Sequence, residues 1–191
     1  NFNTISSYAN KVFQNTISCL EHEPVEEIVQ TKEFDINICS ISLLMRNGET
    51  HNAAGLNWGQ NPENHTTSDD AYLPIRKAHI NNYPNLFRPK RGYSTEEGGR
   101  VQRQDDPIDV IFDDGISMVC LFEGTQDVEG TPYPKQLSSY PDKATIGKYF
   151  RKRLGVPEGE PIRRHHLDEY GRTDVEMSLI SEGVYKLDFS I

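Results

Sequence analysis

The sequence predicts a mainly β fold with flanking helices: about seven short strands and two core helices in a small, partly open barrel. Three observations lead there. Short apolar runs alternating with polar residues recur along the chain, bounded by Gly, Pro, Asn and Asp. They do not alternate with long helical patterns, as a parallel βαβ sheet would require. Two connections, one after the first strand and one after a central hairpin, are unusually polar, which suits a barrel with projecting loops.

The elements follow in order. In "TISSYANKVFQNTISCLEH", Ile5, Ala9, Val12, Phe13, Ile17 and Leu20 recur at helical spacing ahead of Pro24, so residues 1 to 30 read as an amphipathic helical linker. "FDINICSISLLMRNG" alternates as a strand that Asn47-Gly48 terminates. "AYLPI" is a short strand whose Pro74 belongs at a sheet edge or strand end, because proline donates nothing to a ladder. "RKAHINNY" is a brief helix, and "RPKRGYSTEEGGRVQRQDD" is a Gly-rich charged loop. "IDVIFDDGISMVCLFEG" is a hairpin around Asp114-Gly115, the dipeptide suited to a type I′ turn. "TQDVEGTPYP" is the second polar connection and "KQLSS" a strand. In "DKATIGKYFRKRLG", Ile146, Tyr149, Phe150 and Leu154 share one helical face, with Asp142 as N-cap and Gly155 as stop. "DVEMSLI" and "VYKLDFSI" are strands flanking Ser181-Glu182-Gly183.

At 191 residues there is room for one ordinary domain with an extra terminal segment. The net charge of −9 requires any nucleic-acid site to be a local basic patch on an acidic body. Cys19, Cys39 and Cys120 are odd in number and widely spaced, as expected of reduced thiols in the cytoplasm. No apolar run approaches the roughly 18 residues of a membrane span, so no membrane association is expected. The chain starts at Asn1, not Met, and reads as a fragment or processed product.

Catalytic patterns are wanting. Neither G-x-x-x-x-G-K-[ST] nor G-x-G-x-x-G occurs, and there is no G-x-S-x-G elbow. His165-His166 with Asp168 lacks a second ligand group at metal spacing and reads as a solvated loop, so no metal or cofactor is expected. Carboxylates such as Asp109, Asp114 and Glu123 are the material of a metal-dependent nuclease, but the strand Lys of an E-x-K pattern does not follow Glu123.

The polar connections offer different chemistry. Asn and Gln grip adenine, carboxylates accept from the cytosine amino group, Lys and Arg suit guanine, and Ser or Thr serve several bases. The first connection supplies Asn57, Gln60, Asn61, Asn64, His65, Thr66, Thr67, Ser68, Asp69 and Asp70; the second supplies Glu123, Thr125, Gln126, Asp127, Lys135, Gln136 and Ser138. Trp58 either closes the barrel end or stacks on a sugar or base, and beside two glycines the structural role is favoured. Arg46, Arg76, Lys77, Lys90, Arg91, Lys143 and Lys148 flank these loops as phosphate contacts.

"GLNWGQ", "DDAYLPI", "VIFDDG", "IGKYFRKRLGVPEGEPI", "YGRTDVEMSLI" and "YKLDFS", in that order, resemble the C-terminal DNA-recognition domain of restriction endonucleases whose nuclease half belongs to the phospholipase D group. The resemblance covers about residues 34–191. It implies a B3-type pseudobarrel of seven strands that grips the major groove with two arms. The N-arm, residues 46–70, would join strands one and two, and the C-arm, about 123–138, would join strands four and five. Base contacts would come from Asn57 to Asp70, Trp58 included, and from Thr125, Gln126, Asp127, Lys135, Gln136 and Ser138. It also implies that residues 1–33 are the linker from a nuclease domain of the same protein, whose H-x-K motif has no counterpart here. The leading expectation is thus sequence-specific binding of double-stranded DNA without catalysis by this chain. A metal-dependent nuclease using the turn carboxylates and a protein-interaction module using the arms are the alternatives.

Overall fold

In the computed structural model, which describes residues 38–63, 66–90 and 107–191, the period-two alternation of the sequence becomes alternation of burial. Cys39 and Ile41 are fully buried around exposed Ser40, Val110 and Phe112 around half-buried Ile111, and Tyr185 and Leu187 around exposed Lys186. The strands are β1 (Cys39–Ser42), β2 (Leu73–Pro74), β3 (Ile108–Phe112), β4 (Ser117–Glu123), β5 (Gln126–Val128), β6 (Thr131–Tyr133), β7 (Gln136–Ser139), β8 (Asp174–Ser181) and β9 (Val184–Asp188). The helices are α1 (Lys77–Asn82), α2 (Ala144–Leu154) and α3 (Arg164–Tyr170), with a 3-10 helix at Gly55–Gln60.

Seven strands form one sheet in the order β1-β8-β9-β3-β4-β7-β2, curled into a nearly closed barrel whose seam lies between β1 and β2. These are the seven segments the alternation predicts. All neighbours are antiparallel except β3 and β9, which run parallel. Pro74 sits on the edge strand β2, where its missing N–H costs no ladder bond.

Helix α2 buries Ile146, Tyr149 and Phe150 against the barrel, and Phe150 packs edge-on against Phe112 and Phe189 at centroid distances of 6.1 and 5.2 Å. Burying such a side chain stabilises the fold by about 1.5–3 kcal/mol. The N-cap position is Lys143, not the expected Asp142, which stands one residue earlier and accepts the Ala144 N–H at 3.0 Å; Gly155 ends the helix at φ +67° as expected. Two residues before that glycine, Arg153 binds Asp113 at 2.9 Å and the Phe189 carbonyl at 3.0 Å, fastening α2 to the β3–β4 loop and to the residue that follows β9.

Three local expectations are corrected. At the β3–β4 hairpin only Gly115, not Asp114, has positive φ; Phe112 N–H donates to Ile116 O at 2.8 Å, making a three-residue loop ending in a left-handed glycine. The type I′ turn lies instead at Glu129-Gly130, with φ of 51° and 81°, and joins β5 to β6 as a separate two-stranded ribbon inside the second polar connection. His165 and His166 lie on helix α3, which makes three α-helices among the described residues where two core helices were expected. The expected helical linker and the charged loop at 91–106 lie outside the described residues. Every described residue belongs to the unit Asp35–Ile191.

Candidate nucleic-acid interface

The N-arm leaves β1 and returns to β2; the C-arm leaves β4, forms the β5–β6 ribbon and returns to β7. Having no ladder of its own beyond the 3-10 helix, the N-arm satisfies itself with side chains. Asn57 is 1% exposed: its amide donates to His51 O at 2.8 Å and Ile162 O at 2.7 Å, and its carbonyl accepts the Ile162 N–H at 2.8 Å. The Gln60 amide donates to the carbonyls of Ser68 and Gly159, both at 2.9 Å. Asp69 is buried, ion-paired with Arg151 at 3.1 Å and accepting the Gly159 N–H at 2.7 Å. Asp70, also buried, accepts the Thr67 hydroxyl at 2.5 Å. Of the residues expected to face bases, Asn57, Gln60 and Asp69 have polar atoms engaged with the 159–162 segment and Arg151, and Asp70 with Thr67 within the arm.

The anchor that composition did not reveal is Arg151, which is 0% exposed. Its guanidinium donates to the carbonyls of Ser68, Asp69, Gly147 and Glu160 at 2.9–3.4 Å. Gly147, one turn earlier on α2, makes room: a Cβ there would lie 1.8 Å from Asp69 O. A Cβ on Gly59 would likewise lie 2.0 Å from Thr67 O. Gly147 and Arg151, spaced i and i+4 on a helix, were the legible signal of a backbone entering that gap.

Few of the remaining N-arm residues expected to contact bases are exposed. Thr67 and Ser68 are exposed, while Asn61 is half-buried and accepts the Glu63 N–H. Thr66 is half-buried with its hydroxyl oxygen lacking a partner. Asn64 and His65 lie outside the described residues.

The C-arm differs. Its backbone is satisfied by the β5–β6 ladder, and Thr125, Asp127 and Lys135 are exposed. The Gln126 amide nitrogen donates to Ile75 O and Pro134 O, both at 2.8 Å, which pins the ribbon to the end of β2. Asp127 accepts the Gly130 N–H at 3.3 Å across the turn. The Lys135 stem lies across Gly124, where a Cβ would come within 2.6 Å of it.

Between the arms lies the outer face of β4, β7 and β2, where Glu123, Gln136 and Pro74 stand in register. Ser138 is 1% exposed and donates to Glu123 at 2.8 Å; Gln136, half-buried, reaches the Ser138 hydroxyl at 3.5 Å. Lys143 binds Glu123 at 2.8 Å and stands 5.0 Å from the Trp58 ring centroid, and Trp58 packs edge-on against Tyr72 at 5.9 Å. Burial alone would push the Glu123 carboxyl up, but hydrogen bonds from Lys143 and Ser138 outweigh it and hold the group below its ordinary value. Lys143 thus bridges the roots of both arms. Lys143 and Ser138, expected on a phosphate and a base respectively, are both engaged with Glu123, and Trp58 lies between Lys143 and Tyr72.

The other cations divide. Arg46, Lys77 and Lys135 are exposed, and no carboxylate among the described residues pairs with them or with Arg76. Arg76 donates to Leu44 O at 3.0 Å, and the neighbouring Ile75 N–H donates to Lys135 O at 2.9 Å. These contacts string Arg46, Arg76, Lys77 and Lys135 from the N-arm root to the C-arm root. Lys148 pairs with Glu158 at 3.2 Å on the surface, where solvent screening leaves the pair weak and cheap to exchange. Lys90 is half-buried, its N–H bonded to Pro132 O, and Arg91 lies outside the described residues.

The carboxylates of the nuclease alternative do not meet. Asp109 is exposed on β3, Asp114 binds Arg153 at 3.2 Å, and Glu123 is engaged by Lys143. Among the described residues no three His, Cys, Asp or Glu side chains converge as a metal site requires.

The family model for the NgoFVII C-terminal B3-like DNA-binding domain matches residues 31–181. A search of curated proteins finds no match to the chain.

Proposed function

The chain belongs to the NgoFVII C-terminal B3-like DNA-binding domain family, and from that premise we propose that its two arms straddle duplex DNA and read one short sequence in the major groove. A two-stranded ribbon fits that groove, about 12 Å wide, and β5–β6 is such a ribbon. From the N-arm, Asn61, Thr66, Thr67 and Ser68 would reach the bases, and the expected contacts of Asn64 and His65 are retained in this reading. The C-arm presents Thr125, Asp127, Lys135 and the half-buried Gln126 and Gln136. Arg46, Arg76 and Lys77, together with Lys90, Arg91 and Lys148, would take the phosphates.

The observation that carries this reading is the line of exposed cations along the arm roots without carboxylate partners among the described residues, on a chain of net charge −9. Several cations elsewhere on the barrel are neutralised internally, as in Arg153 with Asp113 and Asp114 and Arg172 with Asp174, Glu176 and Asp188, although Lys152 and Arg163 are also exposed without a carboxylate partner among the described residues. The reading includes a nuclease half elsewhere in the parent protein that does the cleaving, and a cytoplasmic location.

Selection from a randomised duplex library at moderate salt tests it. A single short enriched motif is expected; a bound pool that stays random would overturn sequence-specific recognition.

A further inference from the structure

We propose that the barrel seam holds a pocket for one pyrimidine base drawn out of the bound duplex. The inference rests on the DNA-binding reading and concerns a place that the arm contacts leave unused. Between edge strands β1 and β2 lies a cavity of about 160 Å³, walled by Leu44, Met45, Ala54, Leu56 and Tyr72, with Arg76 beside them. A cavity of about 150 Å³ with apolar walls holds a benzene ring, so the seam accommodates one six-membered ring and is small for a purine.

The wall chemistry suits a base. Aliphatic side chains and the Tyr72 ring offer surfaces for the flat faces of a heterocycle, the environment in which extruded bases are held. Ser42 and His51 add polar edges. Because His51 Nδ1 accepts the Ala53 N–H at 2.9 Å, the neutral ring carries its proton on Nε2 and offers a donor there, matched to a pyrimidine carbonyl.

Charge selects the rest of the ligand. No Asp or Glu lines the cavity of this acidic chain. Arg76 is a wall residue, and Arg46 and Lys77, next in sequence to Met45 and Arg76, are exposed and without carboxylate partners among the described residues. An apolar ring-sized cavity beside three uncompensated cations is complementary to a nucleotide: base inward, phosphates at the rim. Arg76, steadied by the Leu44 carbonyl at 3.0 Å through one guanidinium nitrogen, keeps the others for phosphate.

The test uses the duplex sequence enriched from the library, with the fluorescent analogue pyrrolo-cytosine placed at each pyrimidine position in turn. Binding should raise fluorescence several-fold at one position and leave the others unchanged. An abasic nucleotide there should tighten binding about tenfold, because the cost of unpairing is removed. Ala54→Leu and Leu44→Phe, each filling the cavity, should suppress the rise, with thermal melting showing which variant is folded. A duplex that binds with no rise at any position, or a rise that survives a folded cavity-filling variant, would overturn the pocket. Failure to bind any duplex would instead strike the DNA-binding reading itself, and the pocket with it.

Discussion

The two arms are alike in composition and opposite in how they use it. The N-arm, with little regular backbone pairing, consumes Asn57, Gln60 and Asp69 in holding itself to α2 and to the 159–162 segment, and Asp70 in a bond to its own Thr67. The C-arm satisfies its backbone through the β5–β6 ladder and leaves Thr125, Asp127 and Lys135 exposed. A polar side chain becomes available for recognition only where the main chain does not need it. Substitutions in the N-arm should therefore register first as lost stability, and those in the C-arm as lost discrimination.

The largest effect expected on this comparison is at Arg151. Arg151→Met strands buried Asp69 and four carbonyls, and urea unfolding should show a loss of about 3–5 kcal/mol, with DNA affinity falling as the arm comes loose. Asn57→Ala leaves buried peptide groups at Ile162 unsatisfied and should cost about 1–3 kcal/mol by the same measurement. Asp127→Ala should leave stability within about 0.5 kcal/mol yet weaken cognate duplex by about 1–3 kcal/mol relative to random duplex. Equal losses on both duplexes would remove Asp127 from the base contacts. Lys77→Ala, at a phosphate contact, should instead weaken both duplexes alike and lower the salt slope of log K by about 1.

The smallest effect lies away from the arms and serves as a control on them. Burial raises the Asp113 carboxyl, but bonds from Arg153 and the Phe189 N–H outweigh burial and hold it below its ordinary value. The folded state then binds fewer protons than the unfolded, so this contribution is complete above the ordinary carboxylate range and lost as pH falls through the folded value. Urea unfolding across acidic pH should show a shallower decline for Asp113→Asn than for the wild type.

The barrel was legible because burial on one face leaves a period-two record in the sequence, and each of the seven expected segments is a strand of the main sheet. The β5–β6 turn was not, because Glu at positive φ is an unfavoured choice that the ladder imposes. Asp114-Gly115 misled for the converse reason: Asp113 is held by Arg153 and Phe189, and the loop closes with three residues. The division of labour within the N-arm was illegible for lack of partners in view. Asn57 meets Ile162 105 residues away and Asp69 meets Arg151 across 82, distances over which a list of polar residues carries no pairing information.

The most direct measurement of the central claim, that the two arms and the cations at their roots form the DNA interface, is backbone amide hydrogen exchange with and without the selected duplex. Protection on binding should concentrate in residues 44–54, 61–68, 75–77 and 123–136, with β8, β9 and α3 little changed. Protection concentrated on β8, β9 or α3, with both arms exchanging as in the unbound protein, would contradict the account.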